Sequence, residues 1–216
     1  MKRSWTSQIF LPLVMIIALA VSCDRLLRRA DNNDEQPALQ PVEDAAPEET
    51  ASENTANAQT LNATNNGQLL INDAIDIQLT LPNSWSGTSG LHESAELQAT
   101  DSSQNLYLVV VAEEEAALRL QGLRENAENY RNLLRNQLAA YESEAPTEVA
   151  FIDDEFASQY EIRGRLTDNT SVVYLHTTVV TQNRYYQIVA WTTPEQYEAY
   201  RSELQNITST FREIGS

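Results

Sequence analysis

The chain has 216 residues, 42% of them hydrophobic, which is enough to build a packed domain. Lys and Arg total 14 against 31 for Asp and Glu, a net charge of −17, and a phosphate backbone is bound mainly by basic side chains, so no nucleic-acid partner is expected. A single cysteine excludes an internal disulfide framework and any multi-cysteine zinc or iron–sulfur motif.

The N-terminus, residues 1–22, is typical of a secretory signal peptide. Two basic residues precede an apolar stretch over residues 9–21, which ends just before the lone Cys23. The stretch is shorter than the roughly 20 residues of a membrane-spanning helix, and Pro12 interrupts it. The pattern therefore favours a cleaved signal peptide over a membrane span.

The residues around the cysteine resemble a bacterial lipoprotein signal, or lipobox. The run is Leu19-Ala20-Val21-Ser22-Cys23, with Ala20 where the family usually has Leu. The resemblance implies cleavage before Cys23 and its lipidation with acyl chains such as palmitate, which would anchor the protein to a membrane of the cell envelope on the non-cytoplasmic, periplasmic side. Two or more acyl chains make such an anchor stable. An ordinary secreted protein with a free thiol is the alternative.

Residues 23–66 are predicted to be the lipidated cysteine and an acidic disordered linker. Three arginines lie within six residues after the anchor, at Arg25, Arg28 and Arg29, and would either contact lipid headgroups or simply begin the linker. Residues 31–66 then contain eight acids, three prolines, no base and no aromatic residue. Such a composition cannot offset the entropy cost of ordering the chain. The linker would hold the next domain away from the bilayer.

Residues 67–216 are predicted to form one domain, in which four strands precede a helix. Alternation and apolar runs predict the strands at residues 69–71, 75–81, 96–100 and 106–112. The last of these is apolar on both faces, as expected of a central strand that is covered twice. Apolar residues at spacings of three and four then predict one amphipathic helix of about 24 residues that reaches Tyr141.

Three more strands and a final helix complete the domain. The strands are predicted at residues 149–162, 171–181 and 184–191. Thr193 as N-cap, Pro194 at the first helical position and Gln196 in a capping box begin the helix, and Gly215 closes it. Short turns between strands require antiparallel pairing. The fold class is therefore α+β, an antiparallel β-sheet packed between helices as an α/β/α sandwich.

Two segments of this domain resemble PsbP-like and DcrB-like domains. The strand at residues 77–81 is followed by Pro82-Asn83-Ser84-Trp85, similar to the opening of those domains, and residues 185–191 with the helix ending at Phe211 are similar to their last strand and helix. The resemblance implies the same sandwich. It also implies a non-enzymatic role, since such proteins are mainly accessory proteins of photosystem II or envelope lipoproteins.

The chain offers few residues for catalysis or metal binding. His92 and His176 are its two near-neutral bases. His176 falls in a predicted strand, where a structural role is favoured, and His92 falls in a loop with too few neighbouring ligands for a metal site. No nucleophile elbow and no glycine-rich phosphate loop occurs. The sequence therefore predicts no enzyme activity, no catalytic residue, no metal ligand and no cofactor.

Two acidic clusters need separate explanations. Residues Glu113, Glu114 and Glu115 precede the first predicted helix, where acids interact favourably with the helix dipole. Residues Asp153, Asp154 and Glu155 fall in a predicted bend, favouring a solvated turn over a site for a hard cation such as calcium.

The sequence as a whole predicts a lipid-anchored envelope protein that acts as a non-enzymatic binding or assembly module. The predicted domain contains 22 acids and nine arginines, a net charge of −13, so the expected partner is a protein with a basic surface. The alternatives are a metal-dependent or hydrolytic envelope enzyme that uses His92, His176 and scattered carboxylates, and a cation-binding structural module.

Overall fold

The computed structural model describes residues 59–65 and 67–214. The predicted signal peptide, the lipidation site Cys23, nearly all of the predicted linker and the closing Gly215 lie outside these residues. Within the described part, no helix has the combination of length and hydropathy that a bilayer crossing requires.

The described residues form twelve strands and three helices. The strands are β1 (Gln59–Thr64), β2 (Gly67–Asn72), β3 (Ile77–Leu81), β4 (Ser86–Gly87), β5 (Leu97–Asp101), β6 (Leu106–Ala112), β7 (Ala140–Pro146), β8 (Phe151–Ile152), β9 (Glu155–Arg165), β10 (Ser171–Val180), β11 (Tyr185–Thr192) and β12 (Arg212–Glu213). The helices are α1 (Ala116–Leu120) and α2 (Leu123–Asn136), both between β6 and β7, and α3 (Pro194–Ser209), between β11 and β12.

The strands form two antiparallel sheets. The large sheet has the order β4-β5-β6-β11-β10-β9-β7, with β8 paired to β9, and the small sheet has the order β1-β2-β3-β12. The predicted antiparallel α+β fold is confirmed, and the doubly apolar strand β6 lies inside the large sheet, between β5 and β11. β1 pairs with β2 along its whole length, so the folded part begins before Gly67, within the segment predicted as a linker.

Helices cover opposite faces of the large sheet. On one face, Leu204 and Ile207 of α3 share a buried cluster with Ile188 of β11 and with small-sheet residues such as Leu79. On the other face, side chains of α2 such as Leu134 pack in a second cluster with β6, β10 and β11. Successive strand residues point to opposite faces, so the apolar strands of the large sheet supply both clusters. The small sheet shares the face that α3 covers.

The start of α3 matches its sequence signals. Thr193 is the N-cap, with an extended backbone, and its hydroxyl oxygen accepts a hydrogen bond from the backbone N–H of Gln196 at 3.4 Å. Pro194 occupies the first helical position, where it has no N–H to leave unsatisfied. The predicted cap is confirmed.

The prediction of one long helix was wrong. The chain leaves helical geometry at Gln121 and Gly122, both extended, which separates α1 from α2, and residues 140–146 form the edge strand β7. The helical spacing of apolar residues extended beyond α2 in both directions because it includes Leu120, which is 76% exposed, and Tyr141, which belongs to β7. The strand predicted at residues 149–162 is likewise interrupted by a turn between β8 and β9.

Candidate functional site

Polar side chains are buried beneath α2, at the centre of the large sheet. We call this group the buried polar cluster; its members are the partly exposed Glu113 and the buried Asn126, His176, Thr178 and Gln187. Gln187 lies in β11 on the same face as Val189, which packs under α2. It pairs in register with Thr178 of β10, so α2 encloses a polar spot on an otherwise apolar sheet face.

One end of the cluster holds a carboxylate with two amides. The Gln187 Nε2 donates to Glu113 Oε1 and, at 2.7 Å, to Asn126 Oδ1. The Asn126 Nδ2 donates to Glu113 Oε2 at 2.8 Å. Charge-assisted hydrogen bonds of this kind are stronger than neutral ones, so the end of β6, helix α2 and strand β11 are joined through three side chains.

The other end of the cluster fixes the tautomer of the buried histidine. The Gln187 Oε1 accepts from Thr178 Oγ1 at 2.7 Å and lies 2.8 Å from His176 Nε2. An amide oxygen can only accept, so Nε2 must carry the histidine proton. The His176 Nδ1 then presents a lone pair with no hydrogen-bond partner among the described residues.

The surroundings of His176 keep it neutral. The side chain is fully buried, and its ring stacks on Tyr130 of α2 with centroids 5.2 Å apart. Burial lowers the pKa of His176 to about 4; the hydrogen bond with Gln187 opposes this change and the charge of Arg131 adds to it. Burial, with a smaller effect from Glu113, raises the pKa of Tyr130 well above its usual range. Both rings are therefore uncharged at neutral pH.

This geometry does not activate a nucleophile. A threonine hydroxyl becomes nucleophilic when a neighbouring base accepts its proton. Here the Thr178 hydroxyl donates to Gln187, and the facing nitrogen of His176 is itself a donor to the same oxygen. The cluster instead holds α2 against the sheet.

His92 lies in a different environment from His176. It is buried in the loop before β5, where its Nδ1 accepts from the Ser94 N–H at 3.1 Å and its carbonyl oxygen accepts from Gln98 Nε2 at 3.1 Å. Burial lowers its pKa, and the nearby Glu93 opposes that change. The hydrogen bonds of the two histidines share no residue, and among residues 59–65 and 67–214 no group of three or more His, Cys, Asp or Glu could hold a metal ion.

The three glutamates after β6 have three different surroundings. Glu113 belongs to the buried polar cluster, Glu114 is exposed, and Glu115 pairs with Arg119 at 2.8 Å. Interaction with a helix dipole therefore does not explain the run as a whole, because Glu113 is bound by amide side chains.

The second acidic cluster forms a tight turn, as expected. Asp153 and Asp154 connect β8 to β9 with φ values of 50° and 67°. The Asp153 Oδ1 lies 3.3 Å from Arg212 Nε, so an arginine already balances this carboxylate.

Arginines at the surface of the described domain are mostly paired with acids. Seven of its nine arginines form ion pairs, and these are Arg119, Arg131, Arg135, Arg163, Arg165, Arg201 and Arg212. Acids such as Glu125, Glu128 and Glu195 are exposed and form no ion pair within the described part. The excess negative charge therefore faces solvent.

An open groove lies beside α3. It has a volume of about 680 Å³ and runs between Arg201 and Gln205 of the helix and Thr147 and Glu148 after β7. The Arg201 guanidinium is already bound to Glu161 at 2.5 Å. The groove is thus polar, and its one cation is internally paired.

A solved structure shares this arrangement of sheet and helices. Cyanobacterial PsbP (CyanoP) from Synechocystis sp. PCC 6803 aligns with a TM-score of 0.50 and 13% identity, over 67% of this chain and 90% of its own. The domain has a PsbP-like fold. The resemblance inferred from its opening and closing segments is confirmed at the level of the fold.

Two further structures align less closely with this PsbP-like domain. PA94 from Pseudomonas aeruginosa, a protein of unknown function, has a TM-score of 0.41 and 13% identity over 70% of this chain and 94% of its own. LpqN, involved in cell envelope biogenesis of Mycobacterium tuberculosis, has a TM-score of 0.41 and 13% identity over 62% of this chain and 81% of its own. No family model matches the sequence, and no curated protein does.

Sequence reasoning missed the buried polar cluster. Its members are distributed between β6 and β11, and Asn126 and Gln187 are 61 residues apart in the chain. One signal was present: Gln187 interrupts an otherwise apolar and aromatic run, Tyr185-Tyr186-Gln187-Ile188-Val189-Ala190-Trp191. A polar residue in such a strand must find a buried partner.

Proposed function

We propose that the protein is a lipid-anchored component of the cell envelope whose PsbP-like domain is a non-enzymatic binding or assembly module for a protein partner with a basic surface. The anchor is Cys23, supported by the lipobox-like sequence that precedes it. The domain acts outside the cytoplasm.

The observation that carries this proposal is the distribution of charge. Seven of the nine arginines are bound to acids of the same domain, while exposed carboxylates such as Glu125 and Glu128 on α2 and Glu195 on α3 form no ion pair with any described residue. An unbalanced negative surface raises the association rate of a basic partner and repels acidic ones.

The environment of His176 in the buried polar cluster does not suit catalysis, and this favours a binding role for the domain. Its histidine is neutral, fully buried and a hydrogen-bond donor toward the one hydroxyl beside it. Asp153, the first acid of the suggested cation site, is balanced by Arg212. The surface, not the interior, is therefore where this domain meets another molecule.

The anchor is tested by mass spectrometry and fractionation of the full chain expressed in a Gram-negative bacterium. We expect a mature N-terminus at Cys23 that carries acyl chains, and recovery in the membrane fraction. The Cys23→Ser variant should stay unprocessed or become soluble outside the cytoplasm. An uncleaved chain with a free thiol would contradict the proposal.

The partner is identified by cross-linking in intact membranes. In a separate experiment without cross-linker, the full chain is purified at about 50 mM and at about 500 mM NaCl, and the proteins that remain bound are compared. We expect a basic protein that is retained at low salt and released at high salt. Glu125→Gln with Glu128→Gln removes two exposed charges of α2 and should weaken retention, whereas Gln205→Asn in α3 serves as the uncharged control. Retention that is equal at both salt concentrations would exclude an electrostatic partner.

A further inference from the structure

Two phenylalanines form an exposed aromatic pair at one corner of the large sheet. Phe151 is 58% exposed and Phe156 is 60% exposed, and their rings contact each other with centroids 5.0 Å apart. Single exposed apolar residues are common on protein surfaces. Two in mutual contact form a continuous apolar surface, which is a feature of interaction sites.

The pair continues the sheet face that α2 covers. Phe156 pairs in register with Val180 of β10, and it lies on the same face of β9 as Tyr160. Tyr160 is covered by the Arg131 guanidinium of α2, which lies 3.7 Å from the ring centroid. Four residues earlier in the strand, Phe156 has no such cover from the described residues and is 60% exposed. We call Phe151, Phe156 and Val180 the open patch.

The hairpin that carries the open patch is held in place. Phe151 and Phe156 are directly opposed across the β8–β9 hairpin, and the neighbouring Ile152 is buried in the core beneath α3. The two-residue turn has the left-handed backbone that matches strand twist, and Arg212 is paired with its first residue, Asp153. The patch is therefore preorganised, which lowers the entropy cost of binding a partner.

Acids flank the open patch on two sides. Asp154, in the hairpin turn, is exposed and forms no ion pair among the described residues. On the other side, Tyr185 pairs with Val180, and its carbonyl oxygen accepts from the Glu113 N–H at 2.9 Å, which places the exposed Glu114 near this end. Exposed acids therefore lie in the turn beside the apolar patch, at Asp154, and at the same end of the sheet, at Glu114.

We propose that the open patch is the docking site for a segment of the protein partner in which apolar side chains alternate with Arg or Lys. The apolar side chains cover Phe151 and Phe156, and the basic ones approach Asp154 and Glu114. This inference rests on the proposed function and adds to it the place of contact. A second copy of the domain would bring two charges of −13 together, and an anionic lipid surface would repel the same acids.

The test uses the chain from residue 23 onward with Cys23→Ser, which contains the whole described fold and needs no detergent. The probes are three synthetic peptides of equal length, with Arg alternating with Leu, Glu alternating with Leu, or Arg alternating with Ser. We expect the Arg–Leu peptide to bind most tightly and to shift the backbone NMR signals of Phe151, Phe156 and Val180.

Matched variants separate the patch from the rest of the surface. Phe151→Thr with Phe156→Thr keeps residues that suit strands and should weaken binding of the Arg–Leu peptide about tenfold. Tyr141→Thr removes an aromatic side chain that is 47% exposed on β7 and should leave the affinity unchanged. If the double variant fails to fold, Asp154→Asn alone should reduce both the affinity and its salt dependence.

The outcomes also separate this inference from the proposed function. Undiminished binding of the Arg–Leu peptide to the phenylalanine variant, or signal shifts elsewhere on the domain, would overturn the docking site and leave a basic partner in place. Equal binding of the Glu–Leu peptide would overturn the preference for basic residues at the patch. If neither Arg-containing peptide binds any form, the basic partner and the docking site are both overturned.

Discussion

The buried neutral His176 predicts a specific acid sensitivity. Its pKa is about 4 in the folded protein, against an ordinary value of 6.5. Between these two pH values the unfolded chain binds a proton that the folded chain does not, so stability falls as the pH decreases through this window. Above pH 6.5 both states are neutral at this site and the full stability is present.

The size of the effect follows from the two pKa values. At 1.36 kcal/mol per pKa unit, the difference corresponds to about 3 kcal/mol, most of which is lost by pH 4.5. This is a large fraction of the stability of a typical domain. The groups that face the ring are Tyr130, Arg131, Thr178 and Gln187, and Tyr160 lies beside it in register.

The variant that isolates this effect is His176→Phe, which keeps a ring to stack on Tyr130 but does not titrate. At pH 7.5 it should be less stable than the natural protein by about 1 kcal/mol or more, because a hydrogen bond to Gln187 is lost and the ring is larger. By pH 4.5 the difference should shrink by about 2–3 kcal/mol and reverse if it began smaller than that.

The assay is urea unfolding across this pH range, followed by the fluorescence of the buried Trp85. Carboxylates and His92 titrate in both proteins, so their contributions largely cancel when the two curves are subtracted. A difference in unfolding free energy that is constant from pH 7.5 to pH 4.5 would refute the assignment of His176 as a neutral buried base.

Four other substitutions test the packing of the domain by urea unfolding. Gly164→Ala would place a Cβ 2.6 Å from a backbone oxygen at the start of β7 and should cost about 1–3 kcal/mol. Gly122→Ala meets open space and changes only the N-cap of α2, so it should cost less, about 0.5 kcal/mol; equal effects would contradict this contrast. Thr193→Ala removes the N-cap of α3 and should cost about 0.5–1 kcal/mol, near the low end because the hydrogen bond is long, and no change would mean that the cap contributes nothing. Gln187→Met removes the shared acceptor of two buried donors, His176 Nε2 and Thr178 Oγ1, and one of the donors to Glu113, and it should cost about 3 kcal/mol or more. Hydrogen exchange should then be faster in α2 than in α3; equal exchange in both helices would argue against the link between the cluster and α2.

The parts of the fold that the sequence predicts correctly depend on local signals. The strand Ile77–Leu81 alternates between buried and partly exposed residues, and β6 is apolar on both faces because it lies inside a sheet with a layer on each side. The cap of α3 is defined by three consecutive positions. Each of these patterns records which surface a residue faces, and burial of apolar surface is the main favourable term in folding.

The elements that the sequence did not predict have no local pattern that shows which surface each residue faces. β7 is an edge strand, and its residues are exposed or partly exposed with no alternation. Leu120 fits the spacing of a helix that faces the core, yet it is 76% exposed. Hydrophobic spacing predicts a helix wherever the period is kept, whereas the break at Gly122 depends on how the chain passes from the end of β6 to the helix layer.

The buried polar cluster could not be assembled from sequence because its hydrogen bonds join segments far apart in the chain. The residue types alone show that Gln187 needs hydrogen-bond partners, since it is a glutamine in the middle of an apolar strand. Which partners satisfy it depends on the crossing of α2 over β11, and this places Asn126 within 2.7 Å of Gln187. Only the tertiary structure distinguishes Glu113, which completes the cluster, from its exposed neighbour Glu114.

The acids are dispersed over the domain and the exposed apolar surface is localised at the open patch, so the two should affect different rate constants of binding. Acids spread over the domain act on a partner at a distance, so they should control the association rate and its dependence on salt. Phe151 and Phe156 act only after contact, when water leaves their rings, so their substitution should raise the dissociation rate. Neutralising Glu125 and Glu128 should therefore slow association of the Arg–Leu peptide in a surface-binding experiment and leave its dissociation rate almost unchanged. The opposite assignment would mean that the acids of α2 contact the bound segment directly and that the partner lies on the helix, not on the β8–β9 hairpin.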